Sequence, residues 1–347
     1  MNNEIMDQLP SLSIVIINRN GGKKLQRCLM EVRGQDYPKE LIEALIIDGG
    51  STDNSRDLAK KYEAKFINGG YPDNQENRRF IGAKEAQNEI IVWLDTDNYL
   101  TSLDWLKKMV EPLLENKKIF ASETYHYAYR KKTGAFNRYC ALFGINDPVA
   151  FYLGKADRAT HYQSKWRLMG KARDKGNYFE VTFSGDLPTV GCNGFLIRRS
   201  VLNKVLTTPE NYFHIDVIYD LLLKGYNKIA FVKSDIIHDT GEKLSNLMHK
   251  RVTYFTQHGL KQGQNRRYKV FDSSRKRDKL LLLMFVVYTI TLVRPLFDSL
   301  RGFVRKPDFA WFLHPIVCWL FLISYGVVIY KSVTTKIFGS FKSTEAI

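Results

Sequence analysis

The chain has 347 residues, 44% apolar and 13% aromatic, which is ample for one large or two smaller packed domains. Its 52 Lys and Arg against 36 Asp and Glu give a formal net charge of +16, which calls for an anionic partner: nucleic acid, an acidic membrane surface or phosphorylated substrates. Cys28, Cys140, Cys192 and Cys318 lie far apart without CxxC or zinc spacing, as reduced thiols of a cytosolic chain do, and Met1 to Pro10 has no apolar signal core.

Residues 12–17 read as a first strand ending at Asn18-Arg19-Asn20-Gly21-Gly22, followed by a helical pattern through Leu25, Cys28 and Leu29. Residues 44–47 form a second strand that runs into Asp48-Gly49-Gly50-Ser51-Thr52-Asp53. There Ser51 or Asp53 caps a helix reaching Tyr62. Residues 65–67 are a short third strand, 78–88 look helical, and 89–94 are the fourth strand. This alternation predicts an α/β fold with a mostly parallel sheet covered by helices. The fourth strand, Ile90-Ile91-Val92-Trp93-Leu94, delivers Asp95-Thr96-Asp97 and Asn98 to its C-terminal edge. Open α/β sheets bind ligands at that edge. Two carboxylates there suit a hard divalent cation that carries substrate phosphates. Asp is also an ordinary turn and cap residue.

Residues 103–116 and 210–224 carry further helical patterns, and 229–232 a further strand. Residues 120–190 are rich in aromatic and basic groups without a clean period, and the chain shows no internal repeat. Residues 266–279 hold seven basic groups against two acids. An apolar run at 280–293 follows, stopped by Arg294-Pro295, and a second at 309–330 has His314 as its one titratable group. The second run is long enough to span a bilayer. The first is short, and suits an interfacial or re-entrant helix or a span extended by Phe297; for both runs the alternative is a buried helix of a soluble core. Basic groups beside a span mark its cytoplasmic side, and they account for the net charge without nucleic acid, for which no RNP, KH, helix-turn-helix or zinc-finger pattern is present. The expected organisation is a catalytic domain at 1–245, a basic juxtamembrane segment at 246–279 and membrane-associated helices at 280–347.

Four separated pieces resemble family 2 glycosyltransferases of the GT-A fold. They are Ser13-Ile-Val-Ile-Ile-Asn-Arg-Asn20; Ile46-Ile-Asp-Gly-Gly-Ser-Thr-Asp53; Arg79-Phe80-Ile81-Gly82 with Ala86 and then Val92-Trp-Leu-Asp-Thr-Asp97; and Gly191-Cys-Asn-Gly-Phe195 with Arg198-Arg199, His214-Ile215-Asp216, Gly225-Tyr226 and His238. The resemblance covers the first 240 residues, and it implies a Rossmann-like, mostly parallel GT-A sheet. It also implies residue roles. Asn18 and Asp48 contact the nucleotide. Arg79 faces the diphosphate. Asp95 holds the sugar or ribose. Asp97 ligates Mg2+ or Mn2+, with His238 reaching the metal or diphosphate. Asp216 is the catalytic base, and Asn193 and Gly194 lie on the acceptor side. The chain departs from the pattern at Gly49, which replaces the second acid of D-D-G-S, at Phe80, which replaces Asn, and at Ile215, where the Glu of E-D is missing. No Q-x-x-R-W follows Asp216, which favours single transfers over polymerisation.

The expected activity is that of an inverting glycosyltransferase on the cytoplasmic face of the cell membrane. It moves a sugar from a nucleotide diphosphate-sugar to an acceptor hydroxyl, with a lipid-linked saccharide of cell-surface polysaccharide biosynthesis as acceptor. Alternatives are a polyprenyl-phosphate glycosyltransferase, which needs no strong base, a sugar nucleotidyltransferase, and a non-catalytic membrane scaffold. The second lacks its expected G-x-G-x-R-rich loop, and the retained Asp95, Asp97 and Asp216 argue against the third.

Overall fold

The computed structural model describes residues 9–344, apart from 146, 164, 242–243, 245–248, 250–251, 254–255 and 257–265. The first four strands are β1 (Leu12–Asn18), β2 (Ile42–Asp48), β3 (Lys65–Asn68) and β4 (Ile90–Asp95). Between them run α1 (Gly22–Arg33), α2 (Ser55–Lys61) and α3 (Gln75–Glu85). Residues 14–17 of β1, 44–47 of β2 and 90–94 of β4 are unbroken apolar runs because helices cover both faces of a parallel sheet. Leu12, Ile14 and Ile16 of β1 join the core under α1. Val15 and Ile17 join the opposite core with Phe80 and Ala83 of α3. The period of two along the strand puts alternate residues into two separate cores.

The second half of the sheet adds antiparallel strands to the parallel first half. After β5 (Asn98–Leu100) and α4 (Trp105–Glu115), the chain adds β6 (Ala121–Tyr127), α5 (Ala135–Phe143) and α6 (Pro148–Tyr152). Then come β7 (Lys171–Asp174), β8 (Tyr178–Thr182), β9 (Phe195–Arg198), α7 (Arg199–Leu202), α8 (His214–Leu223) and β10 (Lys228–His238). The strand order is β3-β2-β1-β4-β9-β6-β10-β8-β7, with β5 on β10. Pairing is parallel through β3, β2, β1 and β4, and antiparallel where β9 meets β4 and β6. The sheet is therefore mixed.

The C-terminal part differs from the expectation in detail. The first apolar run lies in α9 (Lys276–Thr291), which breaks at Leu292 with φ +60° and continues as α10 (Val293–Arg305), bent by 80°. Pro295 does not end the helical chain but sits in the first turn of α10, where its missing N–H costs nothing. The second run begins with the turn Phe309–Phe312 and continues as α11 (Leu313–Thr344). Among the described residues it is long and apolar enough to cross a membrane, although 39% of its apolar window is buried within the protein.

The basic stretch at 266–279 docks onto the catalytic domain instead of standing free beside the apolar runs. Arg266 pairs with Asp216, Arg267 with Asp220 and Arg275 with Asp186. Most of the expected segment at 246–265 lies outside the described residues.

Candidate active site

Parallel register brings the strand ends together. Asn18 lies opposite Asp48, and Asp95 opposite Ile17. The Asp48 carboxylate is buried and closes a tight turn. It accepts from the N–H groups of Gly50 (2.9 Å) and Ser51 (2.7 Å), and from Asn18 Nδ2 (2.7 Å). Its lone pairs are thus spent on shaping the 49–51 turn. Asn18 Oδ1, by contrast, is a buried acceptor with no hydrogen-bond partner. A Cβ on Gly21 would lie 2.3 Å from it, so glycine keeps the space before this atom open. Asn18 therefore offers the unspent acceptor at the edge where a nucleotide was expected.

Arg79 does not project toward solvent. It is buried on α3, and its Nη2 bonds both oxygens of Asp95 at 2.7 Å. Glu76, one turn earlier, lies 3.6 Å from Arg79 and accepts from the backbone N–H of His214 at 2.8 Å and from its Nδ1 at 3.0 Å. A ladder of alternating charge, Asp95, Arg79, Glu76, His214, so connects the end of β4 to the start of α8. Burial opposes the charge on Arg79, but Asp95 and Glu76 outweigh it and raise its pKa. Burial likewise opposes the charge on His214, and Glu76 outweighs it and pushes the imidazole up to about 10.

Asp97 lies beyond Asp95. Antiparallel pairing of β5 with β10 sets His238 opposite Asn98, which brings His238 Nε2 to 3.9 Å from Asp97 Oδ2. Burial raises the Asp97 pKa, His238 pulls it back, and Asp95 adds to the rise. A cation near Asp97 would relieve both destabilising effects. Mg2+ and Mn2+ take one or two protein ligands and draw the rest from substrate phosphates and water. The Asp97–His238 pair fits such a cation; among the described residues no group of three or more His, Cys, Asp or Glu could hold one alone.

Asn193 (φ +56°) and Gly194 (φ +85°) turn the chain into β9, and the Gly194 N–H donates to the Trp93 carbonyl at 2.8 Å. The Asn193 carbonyl accepts from Arg158 Nη2 at 3.0 Å. Arg158 and its partner Glu123 are both fully buried. Burial pushes Glu123 up to about 8, with Arg158 partly offsetting it. Tyr127 packs its ring 5.6 Å from that of His238 and donates its hydroxyl to Asp157 at 3.0 Å.

Asp216 is in the first turn of α8, as expected, but only 1% of it is exposed. Arg266 Nε bonds both its oxygens (3.0 and 2.9 Å), and the N–H groups of Arg267 and Tyr268 add bonds at 3.2 Å each. To accept a proton, Asp216 must first be released from the 266–268 segment. The structure thus gathers Asn18, Asp48, Asp95, Asp97, His238, Asn193 and Gly194 along one edge and sets Arg79 behind it. Glu76, Arg158 and Tyr127 were not singled out from the sequence, and His214, quoted there as part of a motif, was given no role. Glu76 alone carried a signal, since its spacing of three residues puts it on the helix face of Arg79.

A family model described as glycosyl transferase family 2 matches residues 13–206. Glycosyltransferase AglE of Haloferax volcanii is 31% identical over 94 residues, 26% of this chain and 31% of that protein. A dolichyl N-acetyl-alpha-D-glucosaminyl phosphate 3-beta-D-2,3-diacetamido-2,3-dideoxy-beta-D-glucuronosyltransferase of Methanococcus voltae is 33% identical over 113 residues, 31% of this chain and 35% of that protein. The chain therefore spans about a third of the length of these two relatives, 31% and 35%. Among solved structures, the mannosyltransferase PcManGT of Pyrobaculum calidifontis, in complex with GDP-Man and Mn2+, matches with TM-score 0.51 at 12% identity, over 93% of this chain and 88% of that one. The likeness to it is one of fold.

Proposed function

The chain belongs to glycosyl transferase family 2, and we propose that it moves a sugar from a nucleoside diphosphate-sugar to an acceptor held at the cytoplasmic face of a membrane. The observation that carries this reading is the single edge where the open Asn18 acceptor, the Asp95–Arg79 pair and the Asp97–His238 pair meet. Asn18 Oδ1 accepts from a nucleobase N–H. Asp48 holds the turn beside it. Arg79 positions Asp95 against the donor sugar or ribose. Asp97 and His238 would hold Mg2+ or Mn2+, which would supply positive charge to offset the negative charge of the departing diphosphate. The acceptor oxygen attacks the anomeric carbon as the bond to the diphosphate oxygen breaks, in one inverting displacement. Asn193 and Gly194 flank the incoming acceptor.

Two acceptor chemistries compete. A hydroxyl must lose its proton to a base, the role expected of Asp216. A lipid phosphate arrives already ionised and needs none. The four hydrogen bonds that hold Asp216 favour the second reading. The dolichyl phosphate-linked sugar in the name of the Methanococcus voltae relative supports a lipid-linked saccharide as acceptor, which is the first reading. The apolar window of α11 and the exposed apolar faces of α9 and α10 support attachment to the membrane that carries it.

The test compares transfer to a lipid-linked saccharide hydroxyl and to a polyprenyl phosphate, with Mn2+ or with chelator. Asp97→Asn is expected to lower transfer about a hundredfold or more to either acceptor, the scale of losing one group that stabilises developing charge. Asp216→Asn is expected to spare the ratio of phosphate to hydroxyl transfer if the phosphate is the natural acceptor. Loss of hydroxyl transfer alone returns Asp216 to the role of base. Metal-independent turnover by the wild type with an unaffected Asp97→Asn variant sinks the reading.

A further inference from the structure

A cavity of about 460 Å3 lies where residues 151–168 of the catalytic domain meet α9 and α10. Four arginines line it: Arg167 from the domain, Arg277 from α9, and Arg294 and Arg301 from α10. Among the described residues one carboxylate, Asp298, answers them, at 3.0 Å from Arg294. Arg301 lies over the Tyr162 ring at 4.8 Å, a contact that uses the guanidinium face and leaves its N–H edge for a planar partner. Arg277 reaches Gly154, where a Cβ would stand 3.3 Å from its Nη2. Four guanidinium groups share this one carboxylate, which faces both Arg294 and Arg301, so positive charge is in excess around the hollow and an anion there offsets it. The guanidinium fork matches phosphate oxygens two at a time.

Beside Gln163 and three tyrosines, Phe151 and Leu168, with Leu281 and Met284 of α9, give the wall apolar surface. The outer sides of the same helices are apolar as well. Leu280, Leu283 and Ile290 of α9 are 58, 60 and 57% exposed, and Val293 and Val304 of α10 are 70 and 79% exposed. A charged hollow bounded by helices with exposed apolar faces suits a molecule with a phosphate at one end and hydrocarbon at the other. The hollow is also tied to the catalytic edge. Ala156 lines it, the next residue Asp157 accepts from Tyr127, and Arg158 holds the Asn193 carbonyl.

We propose that this four-arginine cavity binds the phosphate or diphosphate group of an isoprenoid lipid, with the lipid chain laid along α9 and α10. That this lipid is the acceptor rests on the glycosyl-transfer reading; the anion site itself does not.

The test is ligand binding without sugar nucleotide, so its outcome is separate from that of the transfer assay. Thermal stabilisation of the full chain in neutral detergent is followed with a long-chain isoprenyl monophosphate, with inorganic phosphate, and with phosphatidylglycerol. Binding to the first raises the midpoint by mass action. The expected result is stabilisation by the isoprenyl phosphate well below the concentration at which phosphate or phosphatidylglycerol acts. Affinity is expected to fall about tenfold for each of Arg277→Gln and Arg301→Gln, the scale of one hydrogen-bonded charge. Circular dichroism and the ligand-free midpoint check that the variants fold. If either Gln variant does not, Arg277→Lys and Arg301→Lys are read instead, with weakened binding expected because the fork is lost while the charge stays. Equal stabilisation of variant and wild type overturns the site, and equal stabilisation by all three anions overturns its lipid assignment.

Discussion

At the scale of single residues, the charge ladder behind the site decides protonation. Glu76 is lowered to about 2 because His214 and Arg79 outweigh its burial, and His214 is raised to about 10 because Glu76 outweighs its own. A raised histidine pKa stabilises the fold fully below its ordinary value of 6.5 and loses that contribution as pH climbs toward 10. A lowered carboxyl pKa stabilises above its ordinary value of 4.5 and loses the contribution as pH falls toward 2. Together they predict a plateau between pH 4.5 and 6.5, with stability falling on both sides. Glu76→Gln is expected to flatten the alkaline slope and to cost about 3–5 kcal/mol, as removal of one partner of a buried pair does. Denaturant unfolding over a pH series measures both, and an unchanged alkaline slope would contradict the pairing. The candidate carboxylates themselves were legible in the sequence, because they follow apolar strands whose ends are fixed by composition. Their partners were not. Arg79 and Asp216 carry charges that motif and spacing leave pointing outward, whereas tertiary packing turns them inward onto Asp95 and Arg266.

At the scale of elements, legibility follows burial pattern. β1, β2 and β4 are buried on both faces over 14–17, 44–47 and 90–94, and there their sequences are apolar. β6 is just as buried, yet it reads Ala-Ser-Glu-Thr-Tyr-His-Tyr, since Ser122 bonds the Met109 carbonyl, Thr124 bonds Arg158 and Glu123 pairs with Arg158. A strand that buries polar side chains against partners inside the protein does not show a hydrophobic period. β7 is hidden for the opposite reason, being a charged edge strand. The packing of α3 against β1 and β2 turns on Gly82, where an added Cβ would lie 2.4 Å from Val15 Cγ1 and 3.1 Å from Ile47 Cγ1. Gly82→Ala therefore pushes α3 away from the sheet and carries Glu76 and Arg79 with it. It is expected to cost about 1–3 kcal/mol, the range for overpacking a filled core. Because Arg79 then leaves Asp95, donor affinity should fall in parallel. A variant with reduced stability and unaltered donor binding, measured by titration calorimetry, would show that α3 does not set the position of Asp95.

At the scale of the whole molecule, the C-terminal helices form part of the catalytic body's core. Trp311, just ahead of α11, is fully buried and stands edge-on to Phe143 of α5, with ring centroids 4.8 Å apart. Its Nε1 donates to the Lys306 carbonyl at 2.8 Å, and Gly302 of α10 approaches so closely that a Cβ there would sit 2.4 Å from the indole. One indole thus joins α5 of the sheet-bearing domain, the end of α10 and the start of α11. Hydropathy alone marks 309–330 as a candidate span, since it registers apolar length and not which part of the helix faces protein. Burial of 39% of that window leaves the remainder as the surface available to lipid. A helix that is only an anchor would unfold or dissociate without disturbing the nucleotide edge. A helix built into the core would not. Trp311→Ala is accordingly expected to cost about 3–5 kcal/mol, the range for truncating a buried Trp. It should lower a single unfolding transition seen both by tryptophan fluorescence and by nucleotide-dependent stabilisation in detergent. Two separate transitions, with the nucleotide-dependent one unmoved, would instead make α11 an independent anchor.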